Sequence, residues 1–82
     1  MELTEFEKMI VDGLLHCDKL EDCDMIVKES IKMLNEVKDE ENVKPYYLSI
    51  LSNLSTILQM LGHTLSIDQF KEELKKMIDP SD

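Results

Sequence analysis

The sequence predicts an all-α protein, a small four-helix bundle with antiparallel up-down connections, and three observations lead there. Apolar residues recur at helical spacing in four separate stretches. Proline and glycine number only two each, too few for the turns of a sheet architecture. Capping signals stand where two of the stretches begin. The helices expected are about 5–17, 22–38, 45–61 and 67–78, in a single domain over residues 1–82. A helical hairpin that completes its core only on dimerisation is the alternative architecture.

The first helix is announced by Thr4-Glu5-Phe6-Glu7, a capping box in which the Thr4 hydroxyl and Glu7 carboxylate satisfy two orphan backbone N–H groups. Phe6, Met9, Ile10, Gly13, Leu14 and Cys17 then fall on one face. Glycine costs a helix interior roughly 1 kcal/mol against alanine. Gly13 on the apolar stripe is therefore expected to mark the close approach of another helix.

Asp18 to Asp24 forms an acidic connection, and either Asp18 or Asp22 is expected to cap the second helix, whose positive dipole end favours carboxylates. The buried positions would be Ile26 or Val27, Ser30 or Ile31, Leu34 and Val37, with Met33 on the flank. Asp24 and Lys28 have the favourable i, i+4 polarity.

A polar connection, residues 38–44, ends at Pro45, which suits the first turn of a helix. The strongest periodic signal follows: Tyr47, Ile50, Leu51, Leu54, Ile57, Leu58 and Leu61 on one stripe. Gly62 reads as the residue that closes this helix in the left-handed conformation. Ser66 with Gln69 makes a second capping box, and Leu65 with Phe70 a hydrophobic staple. The fourth helix would bury Ile67, Phe70, Leu74 and Met77 or Ile78, and end at Pro80.

Composition sets the outer limits. Eighty-two residues lie near the lower size at which one core folds without disulfides or metal, and 43% hydrophobic residues suffice for that core. Arg, Ala and Trp are absent while Lys, Ile, Asn and Glu abound, the usage of an AT-rich genome such as a low-GC bacterium, an archaeon or one of their viruses. The first residues lack the basic and apolar regions of a signal peptide, and the longest uncharged run, Pro45 to Ile67, is interrupted by Ser49, Ser52, Asn53, Ser55, Thr56 and Gln59. A cytoplasmic location is expected, with Cys17 and Cys23 as reduced thiols.

The net charge is −9, and it is lopsided: residues 1–44 carry −7 of it. Such a field repels nucleic acid and anionic lipid and attracts basic partners. One cluster, Asp18, Glu21, Asp22 and Asp24, is explained by capping and the helix dipole. The other, Asp39, Glu40 and Glu41, follows the negative end of the second helix, where the dipole disfavours carboxylates. These three are the better candidates for a cationic partner, the alternative being an ordinary solvated loop. On the third helix, the face opposite the core stripe is uncharged, with Tyr46, Ser49, Asn53, Thr56 and Met60 as a candidate oligomer interface. The competing reading is a central helix covered on most sides.

His16, Cys17, Cys23 and His63 make a zinc set by type, and an antiparallel bundle would bring their loops to one end. Their spacing matches no familiar finger, and adjacent His16 and Cys17 point about 100° apart. A buried Cys17 with surface histidines is the expectation, and no metal or other cofactor is implied. The acidic loop lacks the EF-hand order, and no phosphate loop, nucleophile elbow, HExxH helix or CxxC pair is present. The six methionines raise the idea of an adaptable groove, but Met9, Met25, Met33 and Met77 more simply lie on or beside core stripes.

The expectation is thus a non-catalytic acidic protein-protein interaction domain, an inhibitor, immunity or viral host-takeover factor that binds a protein with a basic surface. No nucleic-acid, membrane or small-molecule partner is expected. A self-associating module, a homodimer through the third helix, is the alternative. A helix-turn-helix DNA-binding regulator, with Gly62 to Ser66 as its turn and Lys71, Lys75 and Lys76 facing phosphates, stands third, since three lysines make a thin footprint.

Overall fold

In a computed structural model that describes residues 3–78, the chain forms four α-helices: α1 (Glu5–Leu15), α2 (Leu20–Glu36), α3 (Tyr47–His63) and α4 (Ile67–Ile78). A single 3₁₀ turn, Lys44–Tyr46, leads into α3, and no strand occurs among the described residues. The expected all-α bundle is what forms.

Helix α1 starts as its sequence directs. The Thr4 hydroxyl accepts from the Glu7 N–H at 3.2 Å, and the Glu7 carboxylate accepts from the Thr4 N–H at 3.1 Å. The second helix starts two residues earlier than expected and is capped by neither Asp18 nor Asp22. Lys19 precedes it in extended conformation without a side-chain cap. The earlier start brings Leu20 against the core and seats Cys23 within it. Apolar burial decides that end, while Glu21 and Asp22 still sit in the first turn, where the dipole favours them.

Proline 45 lies in the 3₁₀ turn, so α3 proper opens at Tyr47 rather than at Pro45. Its other end also differs from expectation. Helix α3 runs through Gly62 to His63, and no described residue has a positive φ. Extended Thr64 stops the helix, its N–H donating to the Met60 carbonyl at 3.0 Å. At α4 the Ser66 hydroxyl accepts from the Gln69 N–H at 3.1 Å, and the Gln69 carboxamide accepts from Leu65 rather than Ser66, at 2.9 Å. The expected staple is absent: Leu65 is 91% exposed while Phe70 is fully buried. The stop expected at Pro80 lies outside the described residues.

Helix directions follow from side-chain neighbours. The Tyr47 hydroxyl, at the start of α3, donates to Asn35, near the end of α2, at 2.6 Å. Leu20, Glu21 and Asp24 border the same surface depression as Leu58, Leu61 and Gly62, so α2 and α3 are antiparallel. Phe6 and Met9 face Met33 and Val37, which sets α1 antiparallel to α2. Met77 and Ile78, at the end of α4, meet Leu54 and Ile57 of mid-α3 and Ile10 of α1, so α4 runs back along α3. Helices α2 and α3 share the most extensive contact.

One core joins all four helices: Ile10 and Leu14 from α1, Cys23, Val27 and Leu34 from α2, Ile50, Leu54 and Ile57 from α3, Phe70 and Leu74 from α4. Val43, just ahead of the 3₁₀ turn, plugs it from the connection. The methionines depart from expectation. Met9, Met25 and Met33 are mainly exposed: Met9 and Met33 each lie one residue off a buried position, and Met25 falls between Cys23 and Val27 on the outward side of α2.

Glycine 13 does not mark a close helix contact. A Cβ built there, or on Gly62, meets nothing within 4 Å, and both residues have helical backbone. Gly13→Ala and Gly62→Ala are therefore each expected to stabilise the fold by about 0.5–1 kcal/mol, through a less flexible unfolded chain. Urea unfolding with an unchanged m-value measures this, and a lowered midpoint in either variant contradicts it.

Candidate functional site

Two turns carry the clustered carboxylates, and of the seven only Asp24 has an ion-pair partner among the described residues. In the first, Asp18, Glu21 and Asp22 are exposed, whereas the Asp24 carboxylate meets the Lys28 ammonium at 2.9 Å. Asp24 thus has an intrachain partner and is the weakest of that group as a contact for another protein. An exposed i, i+4 pair of this kind contributes only about 0.3–0.5 kcal/mol.

In the second turn, Asp39, Glu40 and Glu41 are all exposed and, among the described residues, take part in no ion pair or side-chain hydrogen bond. Their backbone is nevertheless pinned. The Glu40 N–H donates to the Val37 carbonyl at 3.0 Å, and the Glu40 carbonyl accepts from both Val43 (3.0 Å) and Lys44 (2.7 Å). Buried Val43 anchors the far side. A pinned turn at the end of α2 thus holds three carboxylates beside the negative pole of the helix.

The outer face of α3 divides. Tyr46, Ser49 and Thr56 are exposed, and the Thr56 hydroxyl is spent on the Ser52 carbonyl at 3.0 Å. Leu48, near Tyr46 at the start of α3, is 76% exposed. Two residues of the candidate oligomer interface belong elsewhere. Met60 packs against the core. Asn53 turns toward α1, its amide donating to the Glu7 carboxylate at 2.5 Å.

Glu7 was not anticipated as a core residue, yet it is only 5% exposed. One carboxylate oxygen accepts from the Thr4 N–H and hydroxyl, each at 3.1 Å, and the other accepts from Asn53. A buried carboxylate is costly unless its lone pairs are used, and here both oxygens have donors. The capping box was the legible part of this arrangement. The link to α3 joins residues 46 positions apart, a pairing that local spacing does not reveal.

The thiols and imidazoles do not assemble as a zinc set. His16 Nδ1 lies 2.7 Å from the Asp12 carbonyl oxygen, and both histidines are exposed. No group of three or more His, Cys, Asp or Glu among the described residues is arranged to hold a metal ion. Cys23, rather than Cys17, is the fully buried cysteine, its thiol directed at the Leu14 carbonyl at 3.9 Å. Burial first, and the neighbouring Cys17 thiol second, push the Cys23 thiol from its ordinary 9.0 up to about 11.

Two expected outcomes follow. Asn53→Ala and Glu7→Ala should each cost about 1–3 kcal/mol, since each strands a partner, and the double variant should cost less than their sum. Denaturant titration of the cycle reads this, and strictly additive losses would mean that the contact contributes nothing of its own. Iodoacetamide at about pH 8.5 should alkylate Cys17 in the folded protein and spare Cys23 until denaturant is added, because only a thiolate reacts. Equal labelling rates by mass spectrometry contradict that assignment.

No protein-family model, no curated protein and no solved structure matches this chain.

Proposed function

We propose that the chain is a non-catalytic protein-binding domain that offers the turn carboxylates Asp39, Glu40 and Glu41 to a basic surface on another protein, as an inhibitor, immunity or viral host-takeover factor does. The observation that carries this reading is that Asp39, Glu40 and Glu41 are exposed, make no ion pair or side-chain hydrogen bond among the described residues, and follow the negative end of α2, whereas Glu21 and Asp22 sit in its first turn, where the dipole stabilises them. Leaving three like charges side by side at the negative end of a helix costs stability, and a cationic partner recovers that cost on binding. The bias of −7 in residues 1–44 orients an approaching cation toward this half. Asp18, Glu21 and Asp22 extend the same field at the α1–α2 turn.

A second reading rests on exposed Leu48, Tyr46 and the uncharged outer face of α3, which suit self-association. The two readings part on salt and concentration. Asp39→Asn/Glu40→Gln/Glu41→Gln should weaken capture of the partner from source-cell extract by about tenfold at low salt, and rising ionic strength should weaken capture by the unaltered chain. The variant is expected to keep its fold, because none of the three side chains makes a hydrogen bond or ion pair among the described residues. Capture indifferent to both changes removes the electrostatic reading, and a concentration-dependent dimer in light scattering favours the second.

A further inference from the structure

Beside the second acidic turn the surface is grooved. The N-terminal half of α1, the C-terminal end of α2 and the 3₁₀ turn enclose a trough with Phe6, Met9, Met33, Val37, Val43 and Tyr46 along it. Met9 is 77% exposed, Met33 54% and Tyr46 51%, so this apolar surface faces solvent and is not a sealed part of the core. Among the described residues that line it none is Lys or His, and three are Glu: Glu5, Glu7 and Glu40. Glu7 is occupied by Thr4 and Asn53, and Glu5 meets Lys8 only loosely, at 3.6 Å between exposed side chains. Glu40 has no such partner and stands on the rim next to Asp39 and Glu41.

We infer that this groove receives a cationic amphipathic helix of a partner protein, its apolar face on Met9, Met33 and Tyr46 and its Lys or Arg side chains on Glu40, its neighbours and Glu5. This deepens the reading proposed above and rests on it, since it names the form in which the basic surface arrives. Methionine side chains are flexible and polarisable and fit their contours to an incoming apolar face, and an amphipathic helix laid in an apolar groove is a recurrent recognition mode. The charge on the rim selects among occupants. A second copy of the chain would set Glu5 and Glu40 against its own carboxylates, and nucleic acid or an anionic membrane would meet the same repulsion. A neutral apolar helix would fill the trough and leave the rim charges uncompensated. The negative end of the α2 dipole lies at the same rim and adds to the attraction for a cation.

The test uses the full chain with ¹³C-methyl-labelled methionine and a synthetic amphipathic peptide of leucine and lysine. A peptide of the same composition in scrambled, non-amphipathic order is the control. The amphipathic peptide should shift the Met9 and Met33 methyl signals and leave Met25 and Met77 in place. Met9→Gln/Met33→Gln, which changes no charge and touches only exposed side chains, should weaken its binding about tenfold. Added salt should weaken the remainder. Equal affinity for the scrambled peptide, or binding that leaves Met9 and Met33 unmoved, overturns the groove while the electrostatic reading of the acidic turn stands. Absence of salt-dependent binding by either peptide overturns both. Concentration-dependent shifts of Met9 and Met33 without peptide would assign the groove to a second copy of the chain and overturn the inference.

Discussion

Helix α3 has an apolar row, Ile50, Leu54 and Ile57, that excludes water almost completely, and each of the other helices lays its own buried residues toward it. A chain of this size has little surplus stability, so the burial of that row governs where the rest of the molecule can lie. The long antiparallel contact between α2 and α3 fixes the turn between them. The position of the carboxylates on that turn is therefore a consequence of core packing at some distance from them.

Helix α1 packs chiefly on α2, so apolar contact alone determines its height and rotation against α3 only weakly. The Glu7–Asn53 bond supplies the missing constraint. A carboxylate taken out of water accepts only arrangements that bring it donors, and a single Asn on α3 supplies the donor that Thr4 does not. The same contact removes Asn53 from the solvent face of α3. Polar specificity and apolar burial thus divide the work: one holds the helices together and the other chooses their register.

The sequence made the helices legible because period and capping act within a few residues. The fourth helix was read at its observed limits, and Thr4-Glu7 marked the start of α1. The ends of α2 and α3 were less legible, because tertiary burial of Leu20 and Cys23 outweighed the local preference for an Asp cap, and Gly62 conformed to the helix instead of ending it. Methionine was the least legible residue type: its hydrophobicity places it in a core by rule, whereas a shift of one position on the helical wheel puts Met9 and Met33 in solvent. At the candidate site, Asp39, Glu40 and Glu41 stood out by their place after a helix end, which is a local property. The trough beside them joins α1, α2 and the approach to α3, and residues so distant in sequence share no local signature.

The anchoring of the 38–43 turn has a kinetic and entropic side. A flexible acidic loop must be frozen when it docks, and ordering its backbone would offset much of the Coulombic gain. Here the main chain is already tied at Glu40, Val43 and Lys44, and the Val43 side chain is seated in the interior. In the proposed complex, what remains to be immobilised is the three carboxylate side chains, at about 0.5–1.5 kcal/mol apiece. A preorganised anion array of this kind favours long-lived complexes over merely fast encounters, since little disorder is regained when the surfaces part.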